Sequence, residues 1–208
     1  MYLPQHFAET SPEELHRIIR ENPLGMLVTH SAGGLDANHV PFELEAASGG
    51  AGTLQAHVAR ANPLWTEFPD GADVMVVFRG AQGYVSPSWY PSKQQTHRHV
   101  PTWNYEVVHA HGRLRIVDDE KFVRSLVARL TRRHEAAEPQ PWKMGDAPRD
   151  YIEQMLGAIV GIEVEVLRLE GKRKLGQNRE AGDVAGAVRA LDERRNHALS
   201  AAMASTRR

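Results

Sequence analysis

The chain has 208 residues, 41% of them hydrophobic and 25% charged, with a formal net charge of −1 and no cysteine. That length can bury the core of one large or two small domains, and the composition is that of a globular protein. The charge balance gives no broad positive field for sequence-independent nucleic-acid binding, and the missing thiols exclude disulfides, thiolate zinc sites and cysteine nucleophiles.

The opening "MYLPQHFAET" has no basic region followed by an apolar stretch. No apolar run approaches the roughly 20 residues of a membrane helix, so the expectation is a cytoplasmic protein that does not enter a membrane. "SPEEL" then announces a helix. Ser11 can cap, Pro12 suits the first turn and Glu14 closes a capping box. Leu15, Ile18 and Ile19 make its apolar stripe, and Asn22-Pro23 ends it.

"LGMLVTH", "DANHVPFEL" and "GTLQAHV" are short β-type runs separated by the turn chemistry of "SAGG" and "ASGGAG", which predicts an antiparallel meander. "DVMVVFRG" is more continuously apolar, as in a strand covered on both faces. From Ala81 to Thr102 regular periodicity stops, in a Pro-, Ser- and aromatic-rich segment too long for a hairpin. Trp89 and Tyr90 argue against disorder there.

"WNYEVVHAHGRLRIV" alternates cleanly. Val108, Ala110, Gly112, Leu114 and Ile116 share one face; His109, His111, Arg113 and Arg115 share the other. "DEKFVRSLVARLTRRH" is an amphipathic helix on Phe122, Val123, Leu126, Val127 and Leu130. A loop, "EPQPWKMGDAP", and a short helix, "RDYIEQMLGAI", precede the last strand, "GIEVEVLRLEGKRKL", with Ile162, Val164 and Val166 inward. The tail from about Ala181 to Arg208 reads as one helix, with Val184, Val188 and Leu191 as its contact stripe. Strands that do not alternate regularly with helices disfavour a doubly wound sheet. The expected architecture is mainly β with peripheral helices, a small antiparallel barrel formed by residues 1–208 as a single domain.

Two groups of residues carry chemistry. "HVARANPLW" puts His57, Arg60 and Asn62 at a strand-to-helix turn, with Asn62 as cap. Such a turn suits a phosphate; it also reads as an ordinary capped helix with Arg60 in solvent. The aromatic loop "YVSPSWYPSK" followed by "VPTWNY" supplies flat rings and donors for a planar ligand, or simply anchors itself to the barrel. The pairs His97/His99 and His109/His111 have metal-compatible spacing. They lack an HExxH motif or a cysteine partner, and Arg113 and Arg115 share the second pair's face, so no metal site is expected. The basic helix around Arg124, Arg129, Arg132 and Arg133 has no recognition-helix partner, so neither charge nor motif supports direct DNA binding.

"MYLPQHF", "HVARANPLW", "YVSPSWYPSK", "VPTWNY" and "KLGQNR", in that order, resemble the PaiB family of FMN-binding negative transcriptional regulators. The resemblance runs from residue 1 to about 179 and implies a split β-barrel of the pyridoxamine-phosphate-oxidase type. It also implies a homodimer with FMN at the subunit interface. It carries the phosphate role onto His57, Arg60 and Asn62, and puts Asn38, His39 and Val40 along the ribityl chain and ring, largely through backbone groups. Ser86, Trp89, Lys93, Thr102 and Asn104 would close over the ring, and Gln177 and Asn178 would arrive from the partner subunit. The chain departs from the family's usual serine at Gly176. Three functions stay open at this point: a flavin-binding regulator, a flavin-dependent oxidoreductase, and a haem-handling split-barrel protein. No catalytic residue is assigned.

Overall fold

In the computed structural model, which describes residues 1–46 and 50–206, a 3-10 turn (Gln5–Phe7) leads into a two-residue strand β1 (Ala8–Glu9) and helix α1 (Pro12–Glu21). The Ser11 hydroxyl accepts from the Glu14 N–H at 3.4 Å, as the capping motif predicts. The reciprocal half of the box is made differently. Glu9, not Glu14, receives the Ser11 N–H at 2.8 Å, because the Glu14 carboxylate is drawn to Arg17 and Arg173.

The meander follows: β2 (Leu24–Ser31), β3 (Gly34–Pro41), β4 (Glu43–Glu45) and β5 (Thr53–Ala59). The first three residues of the expected "ASGGAG" turn, 47–49, lie outside the described residues. A single helical turn, α2 (Leu64–Glu67), then precedes β6 (Ala72–Val85). This strand runs through Val85, taking in the first five residues of the segment read as irregular. Val85 is fully buried in an apolar cluster with Tyr90, Val184 and Leu191, and tertiary packing overrides the weak strand propensity of Ala81 and Gly83. A 3-10 turn (Pro87–Trp89) and the short α3 (Lys93–Thr96) occupy the remainder. Next come β7 (Thr102–Val117), α4 (Glu120–His134), 3-10 turns at Glu135–Ala137 and Met144–Asp146, α5 (Arg149–Gly157) and β8 (Ile159–Lys174).

The tail is two helices, α6 (Ala181–Glu193) and α7 (His197–Ser205), where the sequence suggested one; residues 207–208 fall outside the described part. Arg195 in the left-handed region (φ 61°) breaks the run, and Asn196 restarts it by accepting the Leu199 N–H at 3.3 Å.

The sheet order is β3-β2-β6-β7-β8-β5-β4, with β1 on β8, and the pairs β2–β3, β2–β6, β4–β5, β5–β8 and β1–β8 are antiparallel. The sheet is not closed on itself: it is the split β-barrel expected from the sequence. Contacts divide the chain into two compact units. One comprises residues 1–22, 78–109 and 170 onward; the other comprises Pro23–Val77 and Ala110–Leu169.

In the second unit, β5 and β8 pair in the register Leu54↔Val164, Ala56↔Ile162 and Val58↔Val160, so alternation sends all six side chains to the interior. The opposite face of these strands takes α4, through Arg129 donating to Glu43 at 2.8 Å and to Gln55. In the first unit the Glu106 carboxyl, 4% exposed, accepts from Arg173 Nε at 2.8 Å and Arg17 Nη2 at 3.2 Å. Arg173 in turn reaches Glu9 at 3.4 Å and Glu14 at 3.1 Å, which ties β1, α1, β7 and β8 together.

The seat of α4 is tight at Gly161. A Cβ added there would lie 2.6 Å from the Phe122 ring and 2.8 Å from the Val117 carbonyl oxygen. Gly161→Ala should therefore destabilise the protein by about 1–3 kcal/mol, the usual range for overpacking. Gly157→Ala meets nothing within 4 Å and serves as control. Urea denaturation of the two variants tests this, and equal midpoints would refute the close approach.

Candidate functional site

The turn after β5 is built by backbone and side chain together. Arg60 N–H donates to the Ala158 carbonyl and Asn62 N–H to that of Ala59, each at 2.8 Å. The Asn62 side-chain oxygen accepts the Leu64 N–H at 2.9 Å, and its amide nitrogen donates to Asn38 Oδ1 of β3 at 2.8 Å. Asn38 continues the chain to Asp36 at 3.1 Å. The structure thus brings Asn38 and Asn62 together across 24 residues of sequence. On the same strand as Asn38, His39 is exposed and the Val40 side chain is 6% exposed, leaving only backbone groups of Val40 for a ligand.

Arg60 is not idle. Its guanidinium forks onto Asp118 (Nη1–Oδ2 3.0 Å, Nη2–Oδ1 2.6 Å), and Nε donates to the Gly157 carbonyl at 2.8 Å. Trp65 lies beneath it, with its ring centroid 5.4 Å away and its indole N–H on the Arg60 carbonyl at 2.8 Å. The Arg60 hydrogen bond holds the Asp118 carboxyl below the usual carboxylate range. Sequence reasoning missed Asp118, which is 58 residues away and carries no motif.

His57 stands apart from this cluster. It shares the strand face of Gln55, the face on which α4 packs, and not the interior face of Ala56 and Val58. Its Nδ1 is buried with no hydrogen-bond partner among the described residues, and burial pushes the imidazole pKa down. α2 is only four residues long, so few peptide dipoles add at its start. The anion-binding capacity of the turn rests on side chains: each carboxamide keeps one amide hydrogen unused, and the Arg60 fork is shared with Asp118. That donor set fits a phosphate, with Asp118 as internal competitor.

In the other unit, Ser86 caps the Pro87–Trp89 turn by accepting the Ser88 N–H at 3.2 Å, and Lys93 Nζ donates to Ser88 Oγ at 3.2 Å. Trp89 is half-buried under the Arg194 guanidinium, 4.8 Å from the ring centroid. Asn104 is 2% exposed, with its amide against Met203 Sδ at 3.5 Å. The Thr102 hydroxyl accepts from Lys174.

Gln177 spends its amide on its own chain. Oε1 accepts the Leu175 N–H at 2.9 Å and Nε2 donates to the Arg173 carbonyl at 2.6 Å, while Asn178 is exposed. Gly176 has φ +89°, a conformation a serine side chain would strain, and this accounts for glycine at that position. Lys172 and Lys174 were also overlooked in the sequence; the signal was the i, i+2 lysine pair in "GKRKL".

Residues 1–168 match the family described as "Putative FMN-binding domain". The chain belongs to this family, the PaiB type, and FMN is its cofactor. It is 30% identical to Protease synthase and sporulation protein PAI 2 of Bacillus subtilis strain 168, over 94% of this chain and 91% of that protein. Among solved structures it is similar to flavocytochrome Anf3 of Azotobacter vinelandii (TM-score 0.61, 15% identity, 88% of this chain and 78% of that one). It is also similar to the FAD and haem binding protein of Mycobacterium smegmatis (TM-score 0.58, 18% identity, 86% and 79%). At those identities the structures establish the fold. The PaiB-type chain is accordingly an FMN-binding protein resembling the negative regulators of that family.

The state of His57 has a pH consequence. Its folded pKa is depressed, so the unfolded chain binds the extra proton, and stability is lost as pH falls from the ordinary imidazole value through the folded one. His57→Leu should flatten the dependence of apoprotein melting temperature on pH below about 6.5. It should cost little at pH 8, because the replaced Nδ1 has no partner to leave unpaired. Parallel melting curves from pH 5 to 8 decide it; identical slopes in the two proteins would exclude His57 as the titrating group.

Proposed function

We propose that this chain is a homodimeric cytoplasmic flavoprotein that regulates gene expression negatively, with FMN at the subunit interface and its phosphate at the turn after β5. The observation that supports the phosphate assignment is the Asn62–Asn38 amide bond at 2.8 Å, which sets two carboxamides with spare N–H groups at the turn that also carries Arg60, two residues before Asn62. Asn38 and Asn62 would donate to the phosphate oxygens, and Arg60 would divide its fork between Asp118 and the anion. His39 and the Val40 backbone would lie along the ribityl chain. When bound, FMN supplies one- and two-electron redox chemistry. Ser86, Trp89, Lys93, Thr102 and Asn104 remain the residues proposed for the ring, with Asn178 from the partner. Gln177 would need to release its bonds to Leu175 and Arg173 before it could contribute.

The formal charge of −1 does not favour operator contact through phosphates, so the regulatory effect is assigned to flavin chemistry on a metabolite. Among the described residues no helix is long and apolar enough to cross a membrane.

FMN should bind more tightly than riboflavin, which lacks only the phosphate; equal affinities by fluorescence titration would remove the phosphate role of the turn. Arg60→Ala should weaken FMN by about tenfold or more. Asp118→Asn should strengthen it by about two- to fivefold, the scale of an exposed ion pair no longer competing for the fork. If both substitutions weaken FMN equally, the Arg60–Asp118 pair is a structural clasp. Sedimentation across a dilution series, with and without FMN, tests the assembly. Saturating FMN should shift dimer dissociation to lower protein concentration, and a monomer that binds FMN with full affinity would refute the interface site.

A further inference from the structure

Arg17 and Arg173 are saturated by the carboxylates of Glu9, Glu14, Glu21 and Glu106. Two lysines of the same unit are not. Lys172 is 8% exposed, yet among the described residues its ammonium donates only to the Tyr2 carbonyl at 3.0 Å and otherwise rests 5.6 Å from the ring centroids of Tyr2 and Tyr105. Lys174 donates to the Thr102 hydroxyl and to the Trp103 carbonyl at 2.7 Å. Neither ammonium has a carboxylate partner among the described residues. Burial, then the positive charges of Lys172 and Arg179, push the Lys174 pKa down.

A buried cation without a counter-charge is costly, and electron-rich rings and carbonyl oxygens compensate only in part. The two lysines stand two residues apart on β8, so they share a strand face at roughly 7 Å, and their flexible stems can bring both ammoniums to one anion. The neighbouring rings are open: Tyr2 is 85% exposed and Trp103 50%. Flat apolar faces beside unneutralised positive charge are complementary to a flat molecule that carries an acid.

We propose that Lys172 and Lys174, flanked by Tyr2, Tyr105 and Trp103, bind the carboxylate or phosphate of a planar aromatic ligand other than FMN. The inference rests on the flavin reading: the FMN phosphate is taken to occupy the Asn38–Asn62 turn, and Thr102, which accepts from Lys174, is taken to contribute to the ring site without Lys174 itself touching FMN. On this proposal the lysine pair selects an acidic small molecule, and the rings select an aromatic one.

Calorimetric titration of the FMN-loaded full chain with phenyl phosphate, benzoate, inorganic phosphate and benzyl alcohol is the test, repeated on the apoprotein. Phenyl phosphate and benzoate should saturate. Inorganic phosphate should bind about tenfold more weakly for want of stacking, and benzyl alcohol should not bind measurably. The tighter of the two acids identifies the headgroup. Lys174→Met should weaken that acid by about tenfold while FMN affinity, read by flavin fluorescence, moves less than about twofold. Lys172→Met should act the same way, and because Lys174 is the more exposed of the two, its variant keeps the test readable if Lys172→Met misfolds.

The proposal is overturned if neither acid saturates, or if benzyl alcohol binds as well as benzoate. It is equally overturned if Lys174→Met weakens FMN in parallel, which would make the pair part of the flavin site. Failure of FMN to bind at all would refute the flavin reading while leaving the apoprotein titration decisive for the lysine pair.

Discussion

The buried Glu106 carboxyl is the constraint around which one half of the chain is arranged. An ionised carboxylate at 4% exposure must be neutralised, and one cation would not satisfy its lone pairs. Arg173 from β8 and Arg17 from α1 both reach it, and Arg173 then needs Glu9 and Glu14 for its remaining donors. The reciprocal bond of the capping box is absent for this reason: Glu14 is committed to the arginines, and Glu9 takes its place at Ser11. Removing one member of such a network leaves a buried charge uncompensated, so α1, β1, β7 and β8 hold one another in register.

The strand half of the fold was legible in the sequence because burial on one face imposes alternation. Leu54, Ala56 and Val58 meet Val164, Ile162 and Val160 in the register their periodicity implies, and a slip of one residue would turn all of them outward. Where backbone or solitary side chains decide, the sequence carried less. Val85 extends β6 because it fills a cluster made by residues about a hundred positions later, which no local window contains. The break at Arg195 depends on a left-handed arginine, a conformation rare enough that composition does not announce it.

The site shows the same division. Arg60 and Asn62 were singled out by local chemistry and Asn38 by the family resemblance, and the structure brings Asn38 and Asn62 into contact. The partner that governs Arg60 was invisible, because Asp118 sits at an unremarkable strand end and becomes relevant only through the fold. His57 was grouped with its sequence neighbours, yet the period of two sends it to the face beneath α4. The resemblance brought Gln177 in from the partner subunit, and within its own chain its amide closes the turn that follows the positive φ of Gly176. In each case residue type was informative and direction was not.

The order of the segments along the chain also governs assembly. The unit that contains Glu106 is made from residues 1–22, 78–109 and 170 onward, and β1 pairs with β8 in the register Ala8↔Lys172. Closing so large a loop is entropically slow, and contacts of this separation lower folding rates. On the ribosome, α1 and the first part of β7 emerge long before Arg173 exists, so Glu106 waits half-neutralised through most of translation. The last strand and the two helices after it are therefore the step that completes this unit. A nascent chain released before residue 173 would expose both an uncompensated carboxylate and the apolar surface of Val85 and Tyr90, the kind of surface that chaperones bind.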